Sequence, residues 1–124
     1  YEGLPYRERR RLHARVGDHL ESTADDPEIV APLLSLHFHE AHAFDRSWRY
    51  SRLAGEQAAR QYAHRDAAIA LERAVAAGSR LRTVDDSERR QVATQLGDTL
   101  LTIGDYDAAF AAYRRARRAA DRER

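Results

Sequence analysis

Three five-residue segments of this chain repeat one another, and any fold must place all three alike. Val16-Gly17-Asp18-His19-Leu20 closely matches Leu96-Gly97-Asp98-Thr99-Leu100, and Ala54-Gly55-Glu56-Gln57-Ala58 keeps the small residue and the acid between them. Each glycine stands alone inside a segment that otherwise reads as helix, where glycine costs about 1 kcal/mol relative to alanine. Glycines so placed serve the close approach of a second helix; a phosphate-binding loop needs them clustered. Glycine to glycine, the intervals are 38 and 42 residues. The last two units share their internal spacing: Gly55 to Ala67 equals Gly97 to Ala109, and Leu71 and Ala74 match Tyr113 and Ala116.

Hydrophobic periodicity around these segments predicts six helices and no strand. The first, about Tyr6 to Ser22, follows Pro5 and carries Leu12, Val16 and Leu20 as its buried stripe. Asp26 and Pro27 cap and open the second. Pro32 then either kinks it or marks regular helix beginning nearer Ala31. Leu33, Leu36, Phe38 and Ala41 form its apolar side. The third helix, about Asp45 to Tyr62, turns Trp48, Leu53, Ala54, Ala58 and Ala59 inward. The fourth, about His64 to Arg80, does the same with Ala67, Leu71, Ala74 and Val75. After the cap-rich connection Thr83 to Ser87, the fifth runs to Ile103. Gly104 ends it and Asp105 caps the sixth. Leu96, Leu100, Tyr106, Tyr113 and Ala116 make the seam of this last hairpin, while Gly17, Gly55, Ala67, Gly97 and Ala109 are the small packing positions.

Helix–turn–helix units of this spacing resemble tetratricopeptide repeats, whose period is about 34 residues. The longer intervals put extra residues into connections, chiefly between Gly78 and Asp86, and in the first unit only the opening helix fits well. The expected fold is all-α: about six antiparallel helices in three tetratricopeptide-like units, residues 6–43, 45–80 and 86–122, forming one α-solenoid domain over 1–124. Further matches are Tyr1-Glu2-Gly3-Leu4-Pro5-Tyr6, Arg10-Arg11-Leu12-His13, Leu36-His37-Phe38-His39-Glu40-Ala41 and Gln61-Tyr62-Ala63. They resemble the region after the nucleotide-binding core in large bacterial signalling ATPases of the AAA or STAND type. Many of those carry a class III adenylate cyclase domain or a helix-turn-helix output domain. The resemblance implies a signalling or regulatory parent of which this chain is a non-catalytic helical part. The opening on Tyr1, without methionine, fits a segment of a longer protein.

Composition narrows the chemistry. Cysteine is absent, so disulfides, thiolate nucleophiles and cysteine metal sites are excluded, in keeping with a cytoplasmic location. Lysine and asparagine are absent too, which with the abundant alanine looks like a GC-rich bacterial genome. That removes a Schiff-base lysine, a P-loop lysine, and the lysine/asparagine clamp by which chaperone-binding tetratricopeptide proteins hold a terminal carboxylate. No apolar run is long enough to span a membrane. The net charge of +1 gives no global field for nucleic acid.

Three groups of residues remain as candidate sites. His37, His39 and His42 invite a metal, but His37 and His39 point about 200° apart on a helix; His39 and His42, three apart, could converge with help from Glu40 or another segment, yet two imidazoles alone do not close a zinc site. No metal or cofactor is expected. Arginines crowd both ends, at Arg7, Arg9, Arg10, Arg11 and Arg15, and at Arg114, Arg115, Arg117 and Arg118. They spread around their helices among acids, without aromatic interleaving, so nucleic-acid binding is the minor alternative. The third group lies on the first helix of each hairpin: Arg49, Arg52, Glu56 and Arg60, joined by Gln91, Thr94, Asp98 and Leu101. Arginine forks suit carboxylates, so the expected partner is an acidic peptide or a neighbouring domain. Self-association into a homodimer is the second reading. No nucleophile motif points to an enzyme.

Overall fold

The computed structural model describes residues 3–123; Tyr1, Glu2 and Arg124, and with them the start of the Tyr1–Tyr6 match, lie outside the described residues. Among the described residues there are six α-helices and no strand. They are α1 (Tyr6–Thr23), α2 (Ala31–Glu40), α3 (Phe44–Arg60), α4 (His64–Gly78), α5 (Asp86–Thr102) and α6 (Tyr106–Arg122), with one 3₁₀ turn at Pro27–Val30 before α2. Consecutive helices pack on one another, most extensively α3 on α4 and α5 on α6, and α2 also touches α4. Such neighbour-on-neighbour packing is what a helical repeat requires, since no single hairpin can bury its own apolar face.

Three of the connections are the same turn. His42 (φ 58°), Tyr62 (φ 58°) and Gly104 (φ 84°) adopt the left-handed conformation. In each case the next residue donates its N–H to the carbonyl five residues back: Ala43 to Phe38 O (3.0 Å), Ala63 to Ala58 O (2.9 Å) and Asp105 to Leu100 O (3.0 Å). These are Schellman caps. The turn after Tyr62 and the turn after Gly104 lie 42 residues apart, like the glycines. The α4–α5 connection is the longer one; there Asp85 and Glu88 exchange side-chain and backbone bonds as a capping box.

The repeated glycines are contact points. A methyl group on Gly17 would lie 2.7 Å from the Phe38 ring, on Gly55 2.9 Å from Leu71, and on Gly97 2.5 Å from the Tyr113 ring. Leu71 and Tyr113 occupy matching positions, and Ala67 and Ala109, both 0% exposed, sit one turn before them. In the first unit the partner comes 21 residues after the glycine instead of 16, the difference lying in the segment with the 3₁₀ turn.

Several expected packing positions are corrected. Leu12 is exposed and Val16 and Leu20 are only half-buried; Gly17 is the one fully buried residue of α1. The helix is held instead through polar groups: His13 meets His37, Glu21 accepts from the Tyr50 hydroxyl at 2.5 Å, and Arg46 pairs with Asp18. Leu20 still packs against the cluster of Ala31, Leu34 and Phe38, while Leu12 is left on the solvent side. On α2, regular helix begins at Ala31, so Pro32 sits in its first turn without a kink. That register exposes Leu33 and buries Leu34 and Phe38 completely. Tyr106 is also exposed, because it lies at the first position of α6, beyond the reach of α5. Alanine supplies much of the core between α4, α5 and α6, which keeps these helices close. Between α2 and α3 the buried Ser35 and Ser51 hydroxyls satisfy each other at 2.7 Å.

Candidate functional site

The eight residues expected to receive a partner lie on α3 and α5, and most are exposed. Arg49 stacks on Tyr50, 5.0 Å from the ring centroid. Arg52 lies 4.4 Å over Trp48 and 3.8 Å from Glu88, so its charge already ties α3 to α5. Asp98 accepts a 2.6 Å hydrogen bond from Tyr113 and thereby joins α5 to α6. Glu56, Arg60, Gln91, Thr94 and Leu101 are solvent-exposed. Three of the eight are thus engaged within the chain, and none of them lines the concavities on the opposite face.

Those concavities lie over α3 and α5, between successive even-numbered helices. The first, about 320 Å³, is bounded by Ala54, Ala58, Asp66, Ile69, Ala70 and Arg73 on α3 and α4, and is closed by α2 and the 3₁₀ turn. The second, about 260 Å³, is bounded by Leu96, Leu100, Ala108, Ala111, Ala112 and Arg115 on α5 and α6, and is closed by α4. Each residue of the second set lies 42 positions after its counterpart in the first. The repeat therefore builds one groove twice, with mostly small or aliphatic walls, one acid in each (Asp66 in the first, Glu72 in the second) and an arginine at the same place in each. Gln57 fixes the mouth of the first by donating to the Glu28 carbonyl at 2.8 Å, and Ile29 projects there 77% exposed. The 42-residue match of Ala67, Leu71 and Ala74 with Ala109, Tyr113 and Ala116 also pairs Arg73 with Arg115, a pair that the packing positions alone do not single out.

Arg73 is the distinctive group of the first groove. It is half-buried, and burial lowers its pKa from the usual guanidinium value, with the charge of Glu40 opposing. It stays cationic, yet among the described residues it makes no hydrogen bond or ion pair. Its charge also reaches His39, whose pKa is lowered first by burial and then by Arg73. A guanidinium that has lost part of its water and gained no carboxylate can accept one from a ligand at little further desolvation cost.

The histidines separate. His37 Nδ1 lies 2.9 Å from His13 Nδ1, His39 faces Arg73, and His42 bonds the Tyr6 hydroxyl at 3.0 Å. Among the described residues no group of three or more histidine, aspartate or glutamate side chains is placed to hold a metal. No helix there is long and apolar enough to cross a membrane. The four C-terminal arginines divide: Arg115 and Arg118 line one cleft with Arg89 and with Arg122, which follows them on the same face at i, i+3 and i+7, while Arg114 and Arg117 lie outside it. No family model, curated protein or solved structure matches this chain.

Proposed function

We propose that the chain is a tetratricopeptide-like α-solenoid that binds a protein segment without catalysing a reaction. It would do so in the cytoplasm, as the helical part of a bacterial signalling protein of the AAA or STAND ATPase type. One observation carries the binding reading: the same groove occurs twice at a 42-residue offset, with Arg73 and Arg115 in equivalent positions. Repetition of a groove along a stack suits a ligand that is itself linear, since a peptide presents side chains at regular intervals. The walls favour small apolar side chains and the arginines favour carboxylates. The partner is therefore a peptide with alternating apolar and acidic character.

The odd-numbered face, with Arg49 and Arg52, is the competing location, and one experiment separates the two. Twelve-residue peptides selected by display against the protein should be rich in acidic and small apolar residues. Their affinity should fall at least about tenfold in an Ile69→Asp, Arg73→Glu variant. It should persist in an Arg49→Glu, Arg52→Glu variant. The reverse pattern would move the site to α3 and α5, and failure to select any peptide would remove the binding reading. Self-association end to end is disfavoured by charge, because the outer surfaces of α1 and α6 are both rich in arginine. The signalling parent is checked by the flanking coding sequence, where a P-loop upstream would support it.

A further inference from the structure

Beside the second groove, and sharing Val75 and Arg115 with it, lies a cleft of about 150 Å³ between the end of α4 and the inner face of α6. Four arginines reach it: Arg89, Arg115, Arg118 and Arg122. Among the described residues the only carboxylate bonded to any of them is that of Asp86, which accepts from Arg89 and from Arg122, both at 3.0 Å. Arg89 is fully committed, since its other nitrogens donate to the Gly78 carbonyl at 3.1 Å and the Leu81 carbonyl at 2.6 Å. In doing so it covers the carbonyl end of α4, which would otherwise repel an anion. Arg122 spends only its Nε on Asp86, and Arg115 and Arg118 make no ion pair among the described residues. Three guanidinium forks are thus left to face one small space, whose floor is the apolar surface of Trp48, Val92 and Ala93.

We infer that this cleft is a binding site for a phosphoryl group carried on an apolar stem. A carboxylate would leave most of the positive charge unmet, whereas a phosphoryl group brings nearly two negative charges and three acceptor oxygens to three forks. The volume corresponds to roughly five water molecules, too little for a whole drug-sized ligand and enough for the end of one. Because the cleft adjoins the peptide groove through Val75 and Arg115, its natural ligand is a phosphorylated side chain on the bound segment. That last step rests on the peptide reading above; the phosphoryl site itself does not. A small phosphate ester offers the same chemistry, and the experiment separates the two sources.

Trp48 is the only tryptophan and forms part of the floor, so its fluorescence reports occupancy directly. The probes are inorganic phosphate, phenyl phosphate, and a decapeptide containing phosphotyrosine beside its tyrosine counterpart, each titrated at low salt. Phenyl phosphate should bind more tightly than inorganic phosphate. Its affinity should fall at least about tenfold in an Arg115→Gln, Arg118→Gln variant, and should be unchanged in an Arg114→Gln, Arg117→Gln variant of the same net charge. All four positions are exposed, and circular dichroism checks that both variants remain helical. A phosphopeptide that binds better than phenyl phosphate identifies the peptide as the source, and equal affinity identifies the small ester. No response to phenyl phosphate, or an equal loss in both variants, overturns the site. Display-selected peptides that still bind in that event leave the groove reading standing.

Discussion

Replacing Gly55 with alanine tests whether the repeated glycines are packing devices. In an open helix the change would stabilise by about 0.5–1 kcal/mol, because alanine loses less backbone entropy. Here the new methyl group would lie 2.9 Å from both Cγ and Cδ2 of Leu71, while the next atom, the Ala67 carbonyl oxygen, is at an ordinary 3.8 Å. Cγ is the branch point, so relief means moving the whole side chain, and Leu71 is 1% exposed in the main core. Overpacking of that kind costs about 1–3 kcal/mol, and a branch-point clash against a pinned side chain belongs at the upper end. The net expectation is destabilisation by about 1–2 kcal/mol. Leu71→Ala removes every atom responsible for the clash, so in that background Gly55→Ala should stabilise by about 0.5–1 kcal/mol. The coupling between the two sites is then about 2 kcal/mol, well above the few tenths that separates independent sites. Urea denaturation of all four proteins in one fixed sucrose concentration keeps the Leu71→Ala background folded and gives the cycle. If Gly55→Ala costs the same in both backgrounds, or stabilises the parent chain, the contact with Leu71 is not why glycine stands there.

Tyr62 holds a left-handed backbone while 81% exposed, so Tyr62→Gly should raise stability by roughly 0.5–1 kcal/mol, seen as a higher thermal midpoint. Gly104→Ala, at φ 84°, should lower the midpoint by a comparable step; equal midpoints for either pair would deny strain at these caps. Asp85→Ala should cost about 1 kcal/mol in urea melts, because it removes the cap of α5 and half of its reciprocal bond with Glu88. Stability should also fall as pH drops below 6.5. Burial first, and then the neighbouring His13, lower the pKa of His37 in the folded chain, so the unfolded chain takes up its proton first. That contribution is complete above 6.5 and is lost as pH falls through the lower folded value. A His37→Gln variant should show a shallower fall in urea midpoint between pH 7.5 and 5.5, with the remainder owed to His39, which is shifted the same way. An unchanged slope would remove the His13–His37 contact as its source.

The residues legible in advance were those whose role is local or repeated. Gly104 and Asp105 declare a helix end and a helix start by backbone preference alone, and both act so. Gly17, Gly55 and Gly97 announced close approach because nothing else favours glycine within a helix, and Leu71 and Tyr113 followed from equal spacing. His42 and Tyr62 could not be read as left-handed, since the tertiary contacts of α2, α3 and α4 impose the turn against the preference of those residues. The exposure of Leu12 and Leu33 was equally hidden. A helix shows the sequence only its period, and which side turns inward depends on the neighbour, here on His37, Tyr50 and Arg46 reaching α1 through polar bonds.

The candidate site divides along the same line. The sequence by itself determined the repeat and an arginine-rich surface without lysine. Only the tertiary structure decided that Arg73 and Arg115 rim equivalent grooves, that Arg52 and Asp98 are engaged within the chain, and that Arg115, Arg118 and Arg122 converge on one cleft. The physical reason is that each groove, and the cleft beside the second, is made by at least three helices. The angle and distance between helices follow from side-chain interlock such as Gly55 with Leu71, which no single helix contains.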